Sequence, residues 1–508
     1  SMPGVPADRV LELGAERDPT IFNMAHMGLR LGQRANGVSV LHGVVSREMF
    51  ADLWPGFDPS EVPIGSITNG VHAPTWMARE ILEIAEREVG ADQIAAGGGW
   101  EAIDRVSDLE LWQVRRDLRS RLVGEIRRRV KQSGLERGWG DAELGWTAGV
   151  FDPEVLTIGF ARRVPSYKRL TLMLRDPERL RGLLLDPQRP VQFVIAGKSH
   201  PADDGGKQLI AQLVQFADDP AVRHRITFLP DYDIGMARYL YWGVDVWLNN
   251  PLRPLEACGT SGMKAALNGA LNLSILDGWW DEWFDGENGW AIPSADGVID
   301  PDRRDDLEAT ALYDLIESHV APRFYDRAAS GVPTHWVQMV RHTLKSLGPK
   351  VVASRMVTEY TRRLYVPAAA SGARMAADNF GAARALARWR AGVLAAWPGV
   401  SVLHVDSQLD GEHSELGGRL MLRAEVALNG LAPDDVDVEA VFGAVDSDNS
   451  LTDIRTTSLK AVEVTDGASR FEGDVPLERT GAFGYTVRVL PRNDLLASPA
   501  ELGVVAIA

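Results

Sequence analysis

Val155-Leu156-Thr157-Ile158-Gly159-Phe160 is a short apolar run, and it passes directly into Ala161-Arg162-Arg163-Val164-Pro165-Ser166-Tyr167-Lys168-Arg169. Further apolar runs follow at residues 191–196, 226–229, 244–248 and 270–276. They are mostly apolar rather than alternating, which is the pattern of strands covered on both faces. Helical stretches, among them 207–216 and 305–320, lie between or after them. Strand–helix alternation of this kind predicts a doubly wound parallel sheet. Such sheets bind ligands beyond the carboxyl ends of their strands, so the loops after these runs are the places to look for chemistry.

Working outward, residues 108–131 read as one amphipathic helix. Leu111, Val114, Leu118, Leu122, Ile126 and Val130 recur at three and four residues. The other face carries Arg115, Arg116, Arg119, Arg127, Arg128 and Arg129. In a chain of negative net charge this reads as a solvated face paired with local acids rather than an anion-binding face. Residues before about 99 mix short helical pieces with the turn signals Asn36-Gly37 and Asn69-Gly70, and show no strand series of their own. Helical segments continue to about Trp397. Beyond Pro398, segments 420–428, 436–442, 459–464 and 485–490 largely alternate apolar and polar residues, which predicts an antiparallel β-sandwich. The expected organisation is residues 1–140 as the tail of an earlier domain with connecting helices, 141–397 as a Rossmann-like domain, and 398–508 as an acidic β domain.

The 508 residues are 45% hydrophobic and 24% charged, an ordinary globular composition. No apolar run approaches the ~20 residues needed to span a bilayer, and no basic segment followed by an apolar block opens the chain. The single cysteine, Cys258, allows no internal disulfide and suits a reducing, cytoplasmic setting. The net charge of −16 speaks against nucleic acid as a partner. Residues 401–508 hold 19 acids and 8 bases, a net of −11, leaving about −5 for the rest, which sets the C-terminal region apart.

The opening stretch ends on Arg162, Arg163, Lys168 and Arg169, four bases within eight residues at the end of a central strand. Like charges so close repel one another unless an anion joins them, and arginine's planar fork matches phosphate oxygens. Glu256-Ala257-Cys258-Gly259-Thr260-Ser261-Gly262-Met263-Lys264 follows the run at 244–248 and opens a helix. Gly259 and Gly262 let backbone approach a ligand, and N–H groups at a helix start, with the Thr260 and Ser261 hydroxyls, suit a phosphate. Lys264 lies about one turn further on. The loop Gly278-Trp279-Trp280-Asp281-Glu282-Trp283-Phe284-Asp285 offers two readings, sugar-binding aromatic faces or packing beneath a loop. The ten histidines show no metal-ligand spacing, and neither a nucleophile elbow nor a P-loop occurs.

Together these segments resemble the glycogen (α-glucan) phosphorylase family, in its bacterial short-type branch. Residues 256–264, continued by Leu267-Asn268-Gly269-Ala270-Leu271, resemble the family's pyridoxal-phosphate signature, and 162–169 its phosphate-site segment. Asn23-Met24-Ala25-His26, the stretch from Arg34 to Val38, His42-Gly43 and Thr68-Asn69-Gly70 resemble other family segments in order. The resemblance implies a GT-B architecture and reversible phosphorolysis of an α-1,4-glucan to glucose 1-phosphate with retention. It implies Lys264 as the Schiff-base lysine, Gly259, Thr260 and Ser261 around the cofactor phosphate, and Arg162, Lys168 and Tyr232 close to the cofactor. Arg163 matches the arginine that holds substrate phosphate, while Glu256, Gly259 and Asn69 match positions near the glucose unit. On this basis Lys264, Arg163 and Lys168 are the catalytic candidates.

Three departures stand out. Cys258 replaces a serine of the animal enzymes, Arg162 replaces a lysine, and Asp233 follows Tyr232 where a base is expected. The family's glycine-rich loop and catalytic-site histidine are not found before Phe22, so the chain is expected to be a C-terminal portion without activity of its own. An exposed docking surface left by the absent part would favour a homo-oligomer. Two rival readings are a sugar-nucleotide glycosyltransferase of the same architecture and a non-catalytic glucan-binding protein. The glycosyltransferases often carry glutamate where Lys264 stands, and a carboxylate cannot form a Schiff base.

Overall fold

The opening run becomes strand β1 (Leu156–Arg163), the centre of a six-stranded sheet. The structure, a computed structural model, describes residues 6–18, 20–163, 166–409, 416–464 and 467–508. The chain divides into two compact units. One comprises Gly37–His42 and Ser66–Tyr360, the other Ser1–Asn36, Gly43–Gly65 and Thr361–Ala508.

In the first unit, β1 is joined by β2 (Val191–Lys198), β3 (Ile226–Leu229), β4 (Val246–Asn249), β5 (Leu271–Ile275) and β6 (Gly289–Ile292). Their spatial order is β3-β2-β1-β4-β5-β6 and every pairing is parallel. This is the strand order of a doubly wound nucleotide-type sheet, whose reversal point lies between β1 and β4. The apolar runs are continuous because both faces are covered. Phe193 and Ile195 of β2 enter one core with Trp336 and Leu344, whereas Val194 and Ala196 enter another with Leu122, Ile126 and Leu240. Gly159 is required in β1, since a Cβ there would come within 2.6 Å of Val244 Cγ1. The sequence reading lacked β6, whose four residues Gly-Trp-Ala-Ile are too few and too mixed to register as an apolar run.

The predicted amphipathic helix is α1 (Asp108–Glu136), capped by the Ser107 side chain accepting from the Glu110 N–H at 3.2 Å. Its stripe of Leu111, Leu118, Leu122, Ile126 and Val130 is buried as expected. The basic face departs from the solvated, acid-paired reading at three positions: half-buried Arg127 donates to the carbonyls of Val150 (2.8 Å) and Phe151 (2.7 Å), and two others are buried. Arg115 is buried and donates to the carbonyls of Trp242 (2.6 Å), Asn268 (2.8 Å) and Val244. Arg119 is fully buried, paired with Asp245 at 2.5 Å and donating to the Pro153 carbonyl. Helix periodicity cannot reveal this, because the partners come from segments distant in the chain, Asp245 among them at the amino end of the central strand β4. Arg116, Arg128 and Arg129 do pair with acids, Glu154 and Glu125. Helices α2 (Asp204–Ala217), α3 (Ile234–Gly243), α4 (Thr260–Ala266), α5 (Pro301–Leu315) and α6 (Thr334–Val351) complete the layers used below.

In the second unit, strands β7 (Ser401–Leu409), β8 (Arg419–Ala427), β9 (Val436–Val445), β10 (Leu451–Val464), β11 (Ser469–Pro476), β12 (Phe483–Pro491) and β13 (Ala506–Ile507) run in the order β13-β12-β9-β10-β11-β8-β7. All pairings are antiparallel. The 14-residue β10 pairs with β9 along one half and β11 along the other, which makes the strands one hydrogen-bonded series. Alternation places Leu420, Leu422, Ala424 and Val426 of β8 in the core with Val438, Val475 and Val487. No helix among the described residues is long and apolar enough to cross a membrane.

Candidate active site

The segments leaving β1, β2, β3 and β4, together with the start of α4, meet at the carboxyl end of the parallel sheet. They enclose a cleft of about 1010 Å³ whose lining includes Asn69, Arg162, Lys168, Tyr232, Glu256, Gly259, Thr260, Ser261 and Lys264. Each of these is a sequence-predicted site residue. Arg163 is the last residue of β1, and its side chain lies outside the described part of the structure.

Glu256 is the hub of the charged wall. Its carboxylate accepts from Arg162 Nη1 at 3.2 Å and from the Lys168 ammonium, and all three groups are largely buried. Burial is the main influence on Lys168, with repulsion from Arg162 added, and together they bring its pKa down to about 8 against the opposing pull of Glu256. Burial likewise lowers the Arg162 pKa, opposed by Glu256. Arg162 Nε is buried and makes no hydrogen bond among the described residues. Glu256 is itself held by its own backbone, whose N–H donates to Asp277 Oδ2 at 3.0 Å. Asp277 also accepts from the Gly278 N–H at 2.8 Å, and burial pushes its pKa up to about 6.

Arg169, the fourth base of the predicted cluster, does not line the cleft. It pairs with Asp305 (2.9 Å) and Glu308 (2.5 Å) and donates to the carbonyls of Asn250 (3.0 Å) and Pro251 (2.8 Å). A positive φ of 49° turns its backbone away from the course of the preceding residues. Arg169 is thus a brace for the loop that leads to Glu256.

The opposite wall is built around Lys264. Gly259 precedes α4 in the left-handed region, with φ 84°, and a Cβ on Gly262 would overlap Asn272 Oδ1. Ser261 Oγ accepts from the Trp247 indole at 3.2 Å. The Lys264 ammonium sits over the Trp76 ring, 3.9 Å from its centroid, and 5.5 Å from that of Tyr241. Burial lowers the Lys264 pKa, which enlarges its neutral, nucleophilic fraction. Tyr241 shares a 2.9 Å hydrogen bond with Tyr232, and burial raises the pKa of both phenols.

Sequence reasoning missed Trp76, Tyr241, Asp277 and Asn268. Buried Asn268 donates to the carbonyls of Lys264 (2.8 Å) and Trp76 (2.9 Å) and accepts from the Ala78 N–H at 2.6 Å, tying the lysine to the ring it faces. Asn268 stood in a quoted motif, whereas Trp76 is brought to Lys264 from far along the chain and no local signal marks it.

Loop 256–259 is fastened from outside the sheet. Ser39 Oγ donates to the Ala257 carbonyl at 2.8 Å, and burial pushes the Cys258 thiol up to about 12. Asn69 is set by its N–H donating to the Val38 carbonyl (3.0 Å) and by Arg355 donating to its own carbonyl (2.9 Å). In the tryptophan loop, Trp279 and Trp280 are buried edge-to-face with centroids 5.1 Å apart, so for these two rings the packing reading holds. Glu282 of that loop accepts from Thr68 Oγ1 at 2.7 Å and the Val40 N–H at 2.9 Å. Asp233 caps α3, accepting from the Met236 N–H at 2.7 Å.

A doubly wound sheet with a half-buried lysine facing a carboxylate-bridged pair of bases defines a cleft suited to an anionic cofactor. Comparison with known proteins narrows the class. The carbohydrate phosphorylase family matches residues 7–282, and the glycogen phosphorylase C-terminal domain matches residues 397–508. The chain is 61% identical to a glycogen phosphorylase of Mycobacterium tuberculosis over its whole length, covering 59% of that relative. It is 36% identical to a maltodextrin phosphorylase of Thermococcus litoralis over 99% of this chain and 59% of the relative. It is 42% identical to a glycogen phosphorylase of Aquifex aeolicus over 71% of this chain and 52% of that relative. The chain belongs to the carbohydrate phosphorylase family, and it spans about 59% of the length of the first of these relatives.

Proposed function

We propose that this chain is the cofactor-binding part of an α-1,4-glucan phosphorylase that converts glucan and inorganic phosphate to glucose 1-phosphate, with pyridoxal 5′-phosphate on Lys264. Residues 141–397 are the cofactor-binding, Rossmann-like half of a GT-B enzyme acting in the cytoplasm, and residues 398–508 are its C-terminal β domain. The observation that carries this reading is the meeting, in one cleft, of the half-buried Lys264 amine with Arg162 and Lys168. The residues fit the cofactor. Lys264 has the lowered basicity that addition to an aldehyde needs, Gly259 lines the cleft with bare backbone beside it, and Arg162 Nε is a buried donor without a partner among the described residues.

Bound pyridoxal phosphate supplies a phosphate monoester whose second pKa, near ~6, lets it exchange a proton at neutral pH. Gly259, Thr260, Ser261 and Tyr232 hold and orient it. Lys168, with its pKa near about 8, stays protonated at neutral pH and offsets the repulsion between phosphate groups held side by side. Arg163 binds the substrate phosphate. The Glu256 carboxylate, with Gly259 and Asn69, receives the hydroxyls of the glucosyl unit.

Borohydride reduction after incubation with pyridoxal 5′-phosphate, followed by peptide mass mapping, tests the assignment. A pyridoxyl adduct concentrated on Lys264 is expected. An unmodified Lys264, or label spread evenly over surface lysines, refutes the cofactor site.

A further inference from the structure

The second cavity of interest lies between the C-terminal part of α1 and strand β3, and it shares no lining residue with the cleft. Its volume is about 290 Å³, room for roughly ten waters at ~30 Å³ each. One wall is the strand Ile226–Leu229 itself, which continues through Pro230 to Tyr232 in the cleft. The floor is apolar, with Val214, Phe228 and the Trp146 indole.

Three arginines surround this floor. Arg129 is neutralised by Glu125 at 2.6 Å. Arg223 sits over Trp146, its guanidinium carbon 4.4 Å from the ring centroid, and pairs with no carboxylate among the described residues. The Arg137 guanidinium lies 4.5 Å from the Trp139 ring centroid and its Nε donates to the Ser133 carbonyl, at 3.2 Å, again with no acid partner among the described residues. The hydroxyls of Ser133 and Thr227 also line the cavity without a side-chain hydrogen bond among the described residues. Asp218 is the one acid in the lining among the described residues, against two arginines without an acid partner, so the cavity keeps a positive excess.

We propose that this cavity is a binding site for a small organic anion, a planar apolar body bearing one carboxylate or phosphate. The ring would lie against Trp146 and Phe228, where a flat body gains most from burial. The anionic group would take the guanidinium forks of Arg223 and Arg137, whose geometry matches both kinds of oxyanion, with the two hydroxyls as further donors. The site stands independently of the function read for the cleft.

Isothermal titration with indole-3-carboxylate tests the site, with indole as the neutral comparator. Loss of one charge-assisted hydrogen bond corresponds to about tenfold or more in affinity. The carboxylate is therefore expected to bind at least about tenfold more tightly than indole, and Arg223→Ala and Arg137→Ala each to weaken it by a similar factor. Lys168→Ala, in the cleft, should leave the affinity unchanged. Circular dichroism checks that the variants fold, and exposed Arg137 decides the matter if Arg223→Ala does not. Equal binding of indole and its carboxylate overturns the proposal. So does affinity insensitive to both arginines, loss of binding in Lys168→Ala, or no heat up to about 5 mM probe.

Discussion

Glu256→Gln should turn the charged wall of the cleft against the fold. The substitution keeps size and shape but removes the carboxylate that Arg162 and Lys168 share. Both bases are largely buried, so they would face each other without a counter-charge. Removing one partner of a buried pair costs about 3–5 kcal/mol. The cost should depend on pH in a definite sense. Lys168 has a folded pKa of about 8, below the ordinary 10.5, so the folded state binds its proton less well than the unfolded state does. That penalty is complete below about pH 8 and is lifted as pH rises from there towards 10.5. Without Glu256 the Lys168 pKa drops further, adding ~1.4 kcal/mol of destabilisation at pH 7 for the first unit of the drop, after which Lys168 is neutral there and the added cost levels off. The variant should therefore be weakest, relative to the parent, near pH 7 and recover ground as Lys168 loses its proton. Inorganic phosphate should stabilise the variant more than the parent, because it no longer competes with a resident carboxylate; at about a hundred times its Kd it adds ~2.7 kcal/mol. Urea unfolding followed by tryptophan emission, with and without phosphate, between about pH 6.5 and 9.5, measures all three quantities. A difference below ~1 kcal/mol that is flat in pH and indifferent to phosphate would refute the reasoning.

Two further outcomes follow from burial elsewhere. Arg119→Ala should cost about 3–5 kcal/mol in urea unfolding, since Asp245 is left buried and charged, whereas pairing Arg119→Met with Asp245→Asn should cost less than the single change; a double variant as damaged as the single one counts against a charge-based origin. Cys258, its thiol pushed from 9.0 to about 12, should hold about a thousandfold less thiolate at pH 8 than an exposed cysteine and resist an aromatic disulfide reagent until urea opens the chain. Equal rates in native and unfolded protein would contradict the burial.

Several elements were legible because their signals are local. The apolar runs of β1 to β5 exceed what a half-exposed strand can carry, and that excess alone implies a sheet covered on both faces. The alternation in β8, β9 and β12 announces the antiparallel region. The cluster at 162–168 and the motif at 256–264 stand out because like charges and clustered glycines are costly without compensation, and folding brings residues of both to one cleft. Tertiary structure decided the rest, wherever the partner of a residue comes from another part of the chain. Arg162, Lys168 and Arg169 look alike in sequence; the cleft takes the first two, while Asp305 and Glu308 draw Arg169 into the loop's foundation. Arg115 and Arg119 belong to a polar helix face by period, yet carbonyls distant in the chain and Asp245, at the amino end of the central strand β4, make them buried anchors. Trp76 and Asn268 set the position of Lys264 only because folding brings a distant turn against α4. Sequence determines which chemical groups are available and which periods they follow. Which charges are neutralised, and which are left facing a ligand, depends on distances that exist only once the chain has closed on itself.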